Sequence, residues 1–132
     1  MIDIDSSEIV EHQAPGGFGE TLDRLVDAID RAGLILFARI DHAAEARAAG
    51  LSMPPATVLI YGHPKGGSAL MLAAPRAALD LPLRVLVRER DDGRTVVAFN
   101  PAGPMLLRAG VPDAIAHRLD PAQQLLLEAL AP

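Results

Sequence analysis

The stretch "LPLRVLVRERDDGRTVVAFNP", Leu81 to Pro101, constrains the fold of this chain more than any other. Leu83, Val85 and Val87 alternate with Arg84, Leu86 and Arg88, the period of a strand with one buried face. Asp92-Gly93 separates that run from a second one, "TVVAF". Two strand-like runs joined through Asp-Gly predict a tight antiparallel hairpin, because glycine tolerates the positive φ that such a turn requires. A purely helical fold is thereby excluded, and a purely parallel sheet is disfavoured.

The other segments fit around that hairpin. Ile9 and Val10 read as a short first strand ending in the "APGG" turn. Phe18, Leu22, Leu25, Val26 and Ile29 recur at helical spacing with acidic residues on the other faces, and Gly33 suits the position that closes the last turn. "LILFARID" and "TVLIYG" read as buried strands, and "HAAEARAAG" as one or two helical turns for which Asp41 is the N-cap. "SALMLAAP" reads as a short helix after a glycine-rich loop. Asp120-Pro121-Ala122-Gln123 reads as a capping box that opens a last helix. The predicted order is β-α-β-(α)-β-(α)-β-β-α, an α+β fold of two layers in which a small, mainly antiparallel sheet carries helices on one face. Residues 1–132 form a single domain, since neither a repeat nor a long linker divides them.

Charge and composition narrow the function classes. The net charge is −5, so an approach to a polyanion is repulsive, and nucleic acid is not an expected partner. The chain has no cysteine, which removes disulfides, thiolate metal sites and cysteine nucleophiles. The N-terminal stretch "MIDIDSSEIVEH" lacks the basic and apolar regions of a signal peptide, and no run approaches the ~18 apolar residues of a membrane helix. A cytoplasmic protein with no membrane partner is the expectation.

Chemistry is concentrated in "GHPKGGS", Gly62 to Ser68. A nucleotide-binding phosphate loop places its lysine after the last glycine, whereas Lys65 precedes Gly66 and Gly67, and Pro64 lacks an N–H. Two readings remain. In one, Gly66, Gly67 and Ser68 offer N–H groups to an anion, with Lys65 adding charge. In the other, the loop is a turn in which Ser68 caps the next helix. His12, His42, His63 and His117 show no zinc spacing, so no metal ligand set is assigned. Asp41-His42 is a dyad only on paper, because neighbours on a strand point to opposite faces. Arg84, Arg88, Arg90 and Arg94, interleaved with acids, read as a solvated sheet edge that discourages edge pairing.

Taken in order, "FGET", "FARIDH", "LSMPPATVLIYGHPK" and "APRAALDLPLRVLV" resemble the bacterial domain-of-unknown-function family 302, over roughly Phe18 to Pro101. His63 stands where asparagine is usual in that pattern. The resemblance implies a small α+β fold and homodimers, and it brings no established reaction, cofactor or catalytic residue. The first reading is therefore a dimeric module binding a small anionic or apolar ligand through Asp41, His42, His63, Lys65 and Ser68. The alternatives are a scaffold acting through its dimer surface and an acid–base enzyme using His42 and His63. A concave pocket that joins the two histidines would mark the enzyme.

Overall fold

The structure, a computed structural model, describes residues 8–131. Residues 1–7, which carry much of the acidic N-terminal stretch read above, lie outside the described residues. Five strands form one sheet: β1 (Val10–Gln13), β2 (Ile35–Asp41), β3 (Ala56–Gly62), β4 (Leu83–Glu89) and β5 (Thr95–Phe99). Their spatial order is β1-β5-β4-β3-β2, and every neighbouring pair is antiparallel. The fold is α+β, with the two layers that the hairpin and the helical spacing of Phe18 to Ile29 predict.

The hairpin forms as its sequence dictates. Arg90 N–H donates to the Arg94 carbonyl at 2.7 Å and Gly93 N–H to the Arg90 carbonyl at 2.9 Å, with Gly93 at φ 84°. Its position in the sheet corrects one expectation. Strands β4 and β5 are interior, so the arginines do not guard an edge. Arg88 instead reaches Glu11 at 3.4 Å and Arg94 reaches Gln13 at 3.3 Å, both across to β1. An interior strand with one uncovered face can carry arginines there as readily as an edge can.

The alternation in β3, β4 and β5 sorts side chains between the faces. Leu59, Tyr61, Val85, Val87, Val97 and Phe99 enter the core with Leu22, Leu25 and Ile29 of α1 (Phe18–Arg31). Leu106 of α4 (Ala102–Arg108) and Leu126 of α6 (Asp120–Ala129) complete it. The opposite face carries half-buried Val58, Ile60 and Leu86 beside the Arg88–Glu11 pair and has no place in that core.

Two short helices close turns of the chain. Helix α2 (His42–Ala48) is capped by Asp41, whose Oδ1 accepts the Ala44 N–H at 2.9 Å, as its sequence predicts. Helix α5 (Asp113–Ala116) follows α4. The capping box expected at Asp120 is absent. The Asp120 carboxylate pairs with His117 Nδ1 at 2.8 Å. The buried Gln123 amide is used elsewhere: its Oε1 accepts the Ala102 N–H at 2.9 Å and its Nε2 donates to the Asn100 carbonyl at 2.8 Å. At Pro101 the ladder ends, and those two backbone groups need partners more than the first turn of α6 does.

Candidate functional site

The "GHPKGGS" segment is not a loop. Helix α3 (Pro64–Ala73) begins at Pro64, four residues earlier than its apolar pattern indicates. Proline at the first helical position has its φ preset, and His63 supplies the cap: its Nδ1 accepts the Lys65 N–H at 3.1 Å. The cap is therefore His63 and not Ser68. Asparagine caps with an oxygen at nearly the same reach, so histidine there preserves the turn. The amides of Gly66 and Gly67 both donate to the His63 carbonyl at 3.1 Å. With Pro64 lacking an N–H, the first turn presents no free donor to an anion.

What the corner does offer is a wall. A cavity of about 520 Å³ opens between the first turns of α3, the start of β2, the Leu81-Pro82 segment and the start of α6. Its floor is aliphatic, from Leu34, Met71, Leu81, Leu83, Ala122 and Leu125. His63, Ser68 and Arg118 stand on its exposed rim. Phe37 joins them because the β2–β3 register shifts between Leu36 and Ala38, which inserts an extra residue and re-aims its ring. Phe37 stays 46% exposed at the mouth, although "LILFARID" reads as a buried strand.

Tyr61 fixes the opposite wall. It is fully buried, and its hydroxyl donates to the Ala122 carbonyl of α6 at 3.0 Å. Burial pushes its phenol well above the usual tyrosine range. That hydroxyl stays a neutral donor and serves structure, not proton transfer.

Of the five residues picked from sequence, the structure brings His63 and Ser68 to the cavity. Lys65 is exposed on α3 and is not part of the lining. Asp41 and His42 sit at the other end of the sheet: Ile35 pairs with Gly62, beside His63, whereas Asp41 pairs with Thr57. Five to six residues of strand, roughly 17–20 Å, separate the two histidines. They do not converge. Among the described residues no group of three or more His, Asp or Glu side chains is placed to hold a metal ion. Arg118 escaped the sequence reading because it stands in no motif, and Phe37, which opens "FARIDH", because only the register shift in β2 brings it to the cavity.

Comparisons with known proteins agree on the fold. The profile of the family described as "Domain of unknown function DUF302" matches residues 10–131. The chain is similar to the crystal structure of an uncharacterized conserved DUF302 protein from Bacillus stearothermophilus, with a TM-score of 0.79 and 15% identity. That likeness covers 92% of this chain and 94% of the other. A protein named fluoride-specific ion channel FluC 1, from Brucella suis biovar 1 (strain 1330), is 34% identical over 100 residues, which are 76% of this chain and 39% of that protein. The FluC 1 of Brucella abortus biovar 1 (strain 9-941) matches at 34% over 76% of this chain and 37% of its own length. The chain spans less than two-fifths of the curated relatives it matches. No described helix is long and apolar enough to cross a membrane.

Proposed function

The chain belongs to the DUF302 family, and we propose that it is a small-ligand-binding module whose site is the cavity beside α3. One observation carries this reading. Gly66 and Gly67 lie in a helix at ordinary φ, where each costs up to about 1 kcal/mol relative to alanine. A Cβ at Gly66 would stand 3.7 Å from Leu119, and one at Gly67 would stand 3.7 Å from Met71, both ordinary contacts. Neither backbone conformation nor crowding requires glycine here. The space that the missing side chains leave belongs to the cavity, and cavities of ~300–1,000 Å³ hold one small organic molecule. His63 and Ser68 are the proposed polar contacts at its rim.

The test is a plug. The neutral fluorophore N-phenyl-1-naphthylamine is expected to bind wild type saturably, and Gly67→Leu is expected to abolish that signal without lowering the melting temperature. A wild type that gives no saturable signal, or a plugged variant that binds as well, would sink the reading.

A homodimer is part of the same proposal. Strand β2 is a seven-residue edge with neither lysine nor proline, and its Ile35, Phe37 and Ile40 are exposed. Antiparallel pairing of β2 with a second copy would place a partner backbone at the mouth of the cavity. Light scattering is expected to give a dimer mass for wild type and a monomer mass for Ile40→Glu. A cytoplasmic setting belongs to this proposal as well. This proposal carries no fluoride conduction over from the relatives of that name, of which the chain spans less than two-fifths.

A further inference from the structure

We infer that the cavity takes a single-chain amphiphile with an anionic head, held at the rim by the Arg118 guanidinium. This rests on the binding reading above and names the class of ligand. The acidic surplus of the chain, −5 overall, is absent from the cavity: no aspartate or glutamate lines it. Arg118 lines it, and among the described residues it has no carboxylate within salt-bridge distance. The acid closest to it in sequence, Asp120, is held by His117.

An unpaired guanidinium above an aliphatic floor is complementary to one class of molecule. The fork of N–H groups suits a carboxylate or a related oxyanion. The floor offers a chain only apolar contact, so a polar body would lose hydrogen bonds to water on entry. Helices α3 and α6 both start at this rim, and their partial positive ends add to the same sign of field without lending free donors. The cavity volume suits one chain and not a two-chain lipid. Lys65, the only lysine, is a bystander in this arrangement because it lies off the lining.

The experiment is calorimetric titration of the full chain with decanoate and with decanol, which share a tail and differ in head charge. Decanoate is expected to bind about five- to tenfold tighter than decanol, the size of one charge-assisted contact at an exposed rim. Arg118→Gln is expected to remove that preference and leave decanol unchanged, and added salt is expected to narrow the gap. Equal binding of the two probes, or a preference that survives Arg118→Gln, overturns the anionic head and leaves the cavity reading standing. No binding of either probe overturns both. Co-sedimentation with phosphatidylglycerol vesicles in place of decanoate binding overturns the single-chain assignment.

Discussion

At Gly93 the backbone stands at φ 84°, and an L side chain there strains the hairpin that joins β4 to β5. At Gly66 and Gly67 the chain is an ordinary helix, and an added Cβ meets its neighbours at no less than 3.7 Å. The same residue type thus answers two demands, backbone conformation in one place and empty volume in the other. Stability separates them, because replacement is costly where conformation is the reason and favourable where it is not.

Five substitutions at four positions test that contrast and the corner around it. Gly93→Val should cost about 1–2 kcal/mol in urea unfolding, the penalty of a side chain at positive φ. A neutral result would remove the conformational half of the comparison. His63→Ala should cost about 1 kcal/mol through loss of the α3 cap, whereas His63→Asn should hold wild-type stability. Equal losses in both would show that the first turn does not depend on this cap.

Tyr61→Phe should cost about 0.5–1.5 kcal/mol at neutral pH through the lost bond to α6. Its pH dependence has a definite sign. The folded phenol titrates above the unfolded one, so its contribution is complete below about pH 10 and declines as pH rises from there toward the raised folded value. The variant should lack that alkaline decline, and unfolding curves from pH 8 to 11 would reveal a persistent one. The smallest change, and the only gain, belongs to Gly67→Ala: about 0.5–1 kcal/mol of added stability, with weaker binding of N-phenyl-1-naphthylamine. A gain in stability with unchanged binding would separate the glycine from the site.

The framework was legible where one short-range rule acted alone. Alternation through Leu83, Val85 and Val87 gave β4, and helical spacing through Leu22, Leu25 and Ile29 gave α1. Reading failed where one residue had two possible partners. Gln123 has capping-box spacing, yet its amide went to Asn100 and Ala102, which are distant in sequence and next to it in space. Ser68 follows a glycine pair as a cap would, but Pro64 and His63 had already started the helix. The cavity was illegible for a different reason. Leu34, Leu83, Arg118 and Leu125 come from four separate segments, and only the packing of α6 against the sheet and α3 brings them to one hollow. Phe37 depended on a register shift that leaves no mark in "LILFARID".

The bond from Tyr61 to Ala122 joins residues 61 positions apart, and it ties the two walls of the hollow together. During synthesis the α3 wall leaves the ribosome well before the α6 wall exists. A nascent chain that has folded its sheet therefore shows a bare aliphatic trough where the folded structure has a bounded cavity. On the proposed binding reading, a ligand would be held there only on a chain whose α6 has docked.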